Sequence, residues 1–307
     1  MPASRIRYAR LATERANSRS RALDRMTPGG IAALMNREDR RAVAAVGRVR
    51  PQIAAAVKLV VAALHGDGRL FFVGAGTSGR LGVLEAAECP PTFGTPRRLV
   101  QAIIAGGRGA VFRSREGAED DVAAARRAVR ARVRRGDVVV GISASGVTPF
   151  VSAALTAARR RGAKTVLVAC NAEGAFHPPR TTHVRVVPAT GAEVLAGSTR
   201  LKAGTATKLV LNTLTTAAMT GLGRVYGNRM IDLQPRSAKL YERALRLVAD
   251  LGGVSRGRAR AALKASRGRV RVAIVMAQSG LNASEASRAL ADAGGSLRVV
   301  LQKFRRK

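Results

Sequence analysis

The 307-residue sequence predicts an α/β fold: a doubly wound, mostly parallel sheet with flanking helices, an N-terminal helix before it and a small C-terminal helical subdomain after it. Three observations predict this. Apolar runs of strand length alternate with helical stretches between residues 60 and 224. Two of those runs pass directly into turns rich in glycine and hydroxyl groups, "VGAGTSG" and "GISASG". Beyond Asp232 the strand pattern mostly stops and short amphipathic segments take over. The chain therefore divides into a leader and helix over 1–59, an α/β domain over 60–224 and a helical subdomain over 225–307.

The elements follow in order. Residues 1–25 are basic and read as a loosely structured leader. Thr27-Pro28 supplies an N-cap and a first-turn proline. From Glu38 to Leu64 apolar residues recur at helical spacing, among them Val43, Val46, Ile53, Val57 and Val60, until Gly66 and Gly68 end the helix. "RLFFVGAG" reads as a buried strand entering a turn, and "LVQAIIAGG" as a second strand. "EDDVAAARRAVRARVRRG" is a helix, acidic in its first turn and basic in its last, as the helix dipole favours. "DVVVGISASG" is again strand and turn, with helix "PFVSAALTAARRRG" after it. "AKTVLVACN" and "HVRVVPA" are strands, and "RLKAGTATKLVLNTLTTAAM" is a long helix. In the last third, "SAKLYERALRLVADLGG", "SRGRARAALKAS" and "NASEASRALADAGG" are helices. "VRVAIVMA" fits a strand or a buried helix, and the tail "QKFRRK" reads as frayed.

Composition narrows the class of protein. No apolar run approaches the ~18 residues of a membrane span, so no membrane partner is expected, and the basic N-terminus lacks the apolar stretch of a secretory signal. Cys89 and Cys170 suit buried thiols in a reducing compartment, hence the cytoplasm. His65, His177 and His183 are scattered and offer no metal-ligand spacing. Lys plus Arg total 54 against 19 acids, a formal charge of +35, and 46 of the 54 are arginine. The excess runs from end to end and only 3% of residues are aromatic, unlike the basic stripe with stacking aromatics of a nucleic-acid binder. Nonspecific affinity for polyanions can still follow from such a field.

Four constellations carry chemistry. Gly74-Ala75-Gly76-Thr77-Ser78-Gly79 fits a dinucleotide fingerprint, but the acid expected about 20 residues on is missing. Gly76, Thr77 and Ser78 instead suit a single phosphoester at a helix start. Ser143, Ser145 and Thr148 occupy the second βα turn, so the two turns can share a phosphate pocket. Glu85, Glu88, Glu116, Glu119, Asp120 and Asp121 put six of the 19 acids into residues 85–121, where even scatter would put between two and three. Two carboxylates from separate segments beside a phosphate pocket form a candidate acid/base pair, while others, Glu85 among them, can serve as ion-pair partners. Lys202 and Lys208 can meet an anionic substrate or act as ordinary helix cations.

Together, "GAGTSGRLGVLEAAECPPTFG", "EGAEDD", "GISASGVTPFV", "TRLKAGTATKLVLN" and "YGNRMIDL" resemble the N-acetylmuramic acid 6-phosphate etherases, proteins with a sugar isomerase (SIS) domain. The similarity runs in order over nearly the whole chain. It implies a SIS-type fold over 60–224 and cleavage of the D-lactyl ether of N-acetylmuramate 6-phosphate by elimination and hydration, in peptidoglycan recycling. It implies a homodimer and neither cofactor nor metal. By motif match, Glu88 of "ECPPT" and Glu119 of "EGAE" are the catalytic pair. The family usually shows Asp-Ala-Ser where Glu85-Ala86-Ala87 stands, and an arginine where Val147 stands; Arg15 departs from the usual "TEGxN". A phosphosugar-binding regulator without turnover and an aldose–ketose isomerase are the alternatives on the same fold. Glu88 is expected in the last turn of a helix ended by Pro90-Pro91, and Glu119 at a helix start. This contrast of helix ends assigns the acid role to Glu88 and the base role to Glu119.

Overall fold

The computed structural model describes residues 11–171 and 182–305. His177 and the first ten residues of the leader lie outside the described residues. The backbone divides into two compact units, Met1–Ala87 with Arg97–Thr215 and Glu88–Pro96 with Thr216–Lys307.

The first unit is built on five parallel strands: β1 (Leu70–Gly74), β2 (Val100–Ile104), β3 (Val138–Ile142), β4 (Lys164–Val168) and β5 (Val184–Val186), in the order β2-β1-β3-β4-β5. β1 and β3 are buried at every position because helices cover both faces, which is why their sequences read as continuous apolar runs rather than alternating ones. Phe71, Val73 and Val139 pack into one cluster with Ala125 and Val129 of α4 (Val122–Arg132) and Val151 and Leu155 of α5 (Pro149–Arg160). On the other face, Gly82 of α3 (Gly76–Phe93) lies so close to Phe72 that a Cβ there would stand 2.8 Å from the phenylalanine Cβ.

The long N-terminal helix is two helices, α1 (Pro28–Arg48) and α2 (Arg50–His65), broken at Val49. Pro51 explains the break: it lacks an N–H and its ring clashes with the carbonyl four residues back. Thr27 caps α1 as expected, its hydroxyl accepting from Gly30 N–H at 3.1 Å. From Leu11 onward the leader is not loose. Leu11 and Thr13 are fully buried, and three short 3₁₀ turns run between Ala12 and Arg25. The Asn17 amide donates to Glu38 Oε2 at 2.9 Å and to the Ala192 carbonyl at 3.2 Å, tying the segment down.

α6 (Lys202–Gly221) begins in the first unit and ends in the second. The second unit holds a two-residue hairpin, β6 (Val225–Tyr226) and β7 (Arg229–Met230), and five helices: α7 (Ala238–Gly252), α8 (Arg256–Ala265), α9 (Val270–Ser279), α10 (Ala283–Asp292) and α11 (Leu297–Arg305). The ambiguous "VRVAIVMA" is helical. Val270, Val272, Ala273, Ile274 and Val275 are all buried, so α9 is the central helix of this unit and its apolar run hides its period. Helix α11 carries the start of the expected frayed tail as far as Arg305, with Leu297, Val300 and Leu301 packed into the same core; Arg306 and Lys307 lie outside the described residues.

Candidate active site

The strand order reverses at β1, which passes to β2 on one side and has β3 on the other. In open α/β sheets a ligand crevice forms outside the strand C-termini at such a point. Gly74 is in register with Ile104 of β2 and Ile142 of β3, so three loops leave the same edge side by side. These are the two hydroxyl-rich turns and the loop from Ala105 to Asp121.

Glycine serves the first loop in two ways. Gly76 adopts φ +51°, a left-handed turn that L side chains rarely take. Gly74 and Gly79 have no room for a side chain: a Cβ on Gly79 would stand 2.7 Å from the Gly74 oxygen and 2.6 Å from Ile104 Cγ1. Thr77 and Ser78 follow in the first turn of α3, half-buried beside N–H groups that have no intrahelical acceptor. In the second loop, Ser143 is buried and organises the turn. Its Oγ lies 2.8 Å from Thr148 Oγ1 and 3.4 Å from Ser145 Oγ, and accepts from Gly146 N–H at 3.0 Å. Thr148 holds the N-cap position of α5 without capping it, because its hydroxyl faces Ser143.

A cavity of about 330 Å³ opens beside the first loop. Gly76, Arg80, Ser114, Arg115, Glu116 and Glu119 line it. Arg80 is anchored by its Nε, which donates to the Val111 carbonyl at 2.9 Å. Glu119 is exposed and stands in a 3₁₀ turn, Ala118–Asp120, directly before α4. The cap of α4 is Asp121, which accepts from Ala124 N–H at 2.7 Å, so Glu119 is not needed for capping. Arg80 and Arg115 were not among the sequence candidates. In a chain with 46 arginines nothing local distinguishes them.

Glu88 is exposed on α3, twelve residues after Gly76. It does not lie in the last turn. The helix passes through Pro90 and Pro91 to Phe93, and Gly94 ends it with φ +62°, its N–H donating to the Pro90 carbonyl at 3.0 Å. The prolines remove only the donors that would have served the Ala86 and Ala87 carbonyls. The contrast of helix ends therefore does not assign the two glutamates their roles.

The two lysines are held internally. The Lys202 ammonium is buried 2.5 Å from Glu38 Oε2, while the Glu193 carboxylate accepts from the backbone N–H groups of Lys202 and Ala203 at 3.0 and 2.9 Å, closing the start of α6. Lys202 thus fastens α6 to α1. Burial pushes the fully enclosed Glu193 carboxyl up from its ordinary value, the two backbone donors acting against it. Lys208 pairs with the buried Glu85 at 3.2 Å, and Thr215 Oγ1 donates to the other Glu85 oxygen at 2.5 Å. Glu85 is thereby an ion-pair partner joining α3 to α6. Glu38, Glu193 and Asn17 escaped the sequence reading because their partners lie 9 to 175 residues away.

Comparison with known proteins agrees with this architecture. Residues 52–159 match the family model of the glucokinase regulatory protein N-terminal SIS domain. The chain is 49% identical over 293 residues to the N-acetylmuramic acid 6-phosphate etherase of Picosynechococcus sp., covering 95% of this chain and 97% of that one. It is 51% identical over 298 residues to that of Gloeobacter violaceus, covering 96% of each. Among solved structures, a phosphoheptose isomerase from Francisella tularensis superposes with a TM-score of 0.49 at 16% identity, covering 65% of this chain and 98% of that one. With half its residues shared along almost its full length, the chain belongs to the N-acetylmuramic acid 6-phosphate etherase family.

Proposed function

We propose that the chain is a carbon–oxygen lyase that cleaves the D-lactyl ether at C3 of N-acetylmuramate 6-phosphate, yielding N-acetylglucosamine 6-phosphate and D-lactate in peptidoglycan amino sugar recycling. Family membership supports the substrate. The observation that carries the chemistry is the cavity whose wall combines Glu119 with Gly76 at the start of α3. Backbone N–H groups there, with the Thr77 and Ser78 hydroxyls, suit the 6-phosphate. Ser143, Ser145 and Thr148 supply further hydroxyls from the neighbouring loop.

In the ring-opened sugar the C1 aldehyde acidifies the C2 proton. Glu119 takes that proton, the electron pair forms the C2–C3 double bond, and the C3–oxygen bond breaks. Glu88 protonates the departing lactate oxygen. Water then adds at C3 and a proton returns to C2, so the net reaction consumes one water. Every step is a proton transfer, an elimination or an addition of water, and none changes an oxidation state overall or needs an oxidant.

The working unit in this reading is a cytoplasmic homodimer. A cavity of about 330 Å³ is at the small end for a ligand site, and Glu88 and Glu119 are both exposed in the single chain, so a second copy would serve to enclose the substrate. Cys89 and Cys170 are buried thiols, which suits a reducing compartment. The deciding experiment uses heavy-oxygen water with N-acetylmuramate 6-phosphate. Elimination and hydration put the label on C3 of the amino sugar and leave the lactate hydroxyl unlabelled. Label in lactate refutes the mechanism, and aldose–ketose interconversion without lactate assigns the site to an isomerase.

A further inference from the structure

The second compact unit contains a cavity of about 1070 Å³ that shares no residue with the one beside Glu119. Its apolar wall includes the buried Leu233, Leu263, Val270 and Leu290 and the partly exposed ring of Tyr241. The rest is strongly basic, with seven Lys and Arg side chains against the single carboxylate of Asp232. That carboxylate is occupied. One oxygen accepts from Arg224 at 3.0 Å and the other pairs with Arg271. The remaining five cations, Arg236, Arg260, Lys264, Arg267 and Arg269, have no carboxylate within ion-pair distance among the described residues. Nearby Glu242 is held by Arg256 at 2.6 Å. Arg269 is oriented by neutral acceptors, the Ser266 carbonyl at 3.0 Å and Ser287 Oγ at 3.1 Å, which fix the guanidinium without cancelling its charge.

General basicity does not account for this wall. Cations make up 54 of 307 residues in the chain but 7 of the 21 that line the cavity, about twice the share. Local rules are also broken here with little counter-charge, since the Glu242 carboxylate within electrostatic reach of Arg260 is already held by Arg256. Arg260 and Lys264 stand one turn apart on α8, a like-charge spacing that weakens a helix. Arg267, between α8 and α9, adopts φ +55°, one of two non-glycine residues in the left-handed region among the described residues. Glycine would relax that turn, yet the position carries a long cation directed to the same cavity. Unbalanced local costs converging on one concave, partly apolar space mark a ligand site.

We propose that this cavity binds a small organic polyanion, a phosphorylated metabolite with at least two negative charges, whose phosphoryl oxygens meet Arg236, Arg260, Lys264, Arg267 and Arg269. Tyr241 and Leu233 give its apolar part a surface. Binding is measured without turnover, and variants of this cavity, which shares no residue with the one beside Glu119, distinguish it from anion binding at the etherase site.

The test is calorimetric titration of the full chain with tripolyphosphate in 0.15 M salt, where weak surface attraction is screened. Saturable binding at one site per chain is expected, at least tenfold tighter than sulfate. Lys264→Gln/Arg267→Gly should weaken it at least tenfold; the glycine also relaxes the backbone. Arg127→Gln/Arg130→Gln, which removes the same charge from exposed positions on α4, should stay within twofold of the parent. If the cavity variant does not fold, Arg236→Gln alone, in the segment before α7, should weaken binding about threefold. Absence of saturable binding, equal losses in both charge pairs, or no effect of Arg236→Gln would overturn the proposal. So would duplex DNA binding more tightly than tripolyphosphate and losing affinity in the same cavity variants, which would make the surface a nucleic-acid contact.

Discussion

Lys202→Met removes an ammonium from a place with almost no water. Glu38 and Lys202 are each 1% exposed and their charged atoms are 2.5 Å apart. Burial alone would push the Glu38 carboxyl up. The hydrogen bonds from Lys202 and Asn17 and the charges of Lys202 and Arg41 outweigh it and hold the group below its ordinary value. Without Lys202 the carboxylate keeps the Asn17 amide at 2.9 Å and two arginines, Arg41 at 3.6 Å and Arg19 at 3.8 Å. Both arginines are about half exposed, so solvent screens them. Breaking a buried pair costs ~3–5 kcal/mol, and with this partial compensation the lower end applies, ~3 kcal/mol. Against a typical total of ~5–15 kcal/mol that is a large share. The sign with pH follows. A lowered folded-state pKa contributes stability above the unfolded pKa, and that stability is lost as pH falls through the folded value. Urea unfolding followed by far-UV circular dichroism should therefore show the full loss at pH 7 and a narrowing gap below about pH 4. Glu38→Gln/Lys202→Met should recover about half of it. A loss under ~1 kcal/mol with no pH dependence would refute the buried pair. A raised KM for the sugar phosphate in the same variant would then return Lys202 to the substrate.

Three further outcomes are expected. Glu119→Gln should abolish both deuterium wash-in at C2 and lactate release, whereas Glu88→Gln should keep the exchange and lose the lactate; NMR of each variant decides, and the opposite pattern reverses the roles. Gly79→Ala, whose Cβ would stand 2.6 Å from Ile104 Cγ1 and 2.7 Å from the Gly74 oxygen, should cost ~1–3 kcal/mol in urea unfolding and raise KM more than it lowers kcat, because the strand-to-helix turn must open. Binding of the wild type to random-sequence duplex DNA should be weak and collapse between 50 and about 200 mM salt in a fluorescence anisotropy titration; sequence-selective nanomolar binding at physiological salt would give the +35 charge a specific nucleic-acid partner.

The centre of the sheet was legible because β1 and β3 are buried on both faces. "LFFVG" and "VVVGI" announce themselves as apolar runs, and the in-register pairing of Gly74, Ile104 and Ile142 then brings the motif-bearing loops to one edge. What escaped the sequence depends on contacts distant along the chain. Asn17 looks like a leader residue until Glu38 and the Ala192 carbonyl receive its amide, and the buried Thr13 until its carbonyl accepts from Gly197 N–H. Lys202 reads equally as a substrate contact or an ordinary helix cation, and nothing near it in sequence announces its ion pair with Glu38. A period of two or of 3.6 cannot reveal a partner more than a hundred residues away.

The proline pair shows how a sound local rule can give the wrong local geometry. Proline disfavours a helix interior because it removes one hydrogen bond and crowds the carbonyl four residues back. Near the end of α3 that penalty falls on the Ala86 and Ala87 carbonyls, and the backbone remains helical until Gly94 turns it away. Glu88 consequently lies inside its helix, not at the terminus, and Glu119 precedes its helix instead of capping it. Neither carboxylate has the helix-end position that would separate their roles on dipole grounds. Any such separation must come from what surrounds the two exposed groups when the substrate is bound and the site is enclosed. That makes the deuterium exchange at C2, rather than helix position, the measurement that distinguishes acid from base.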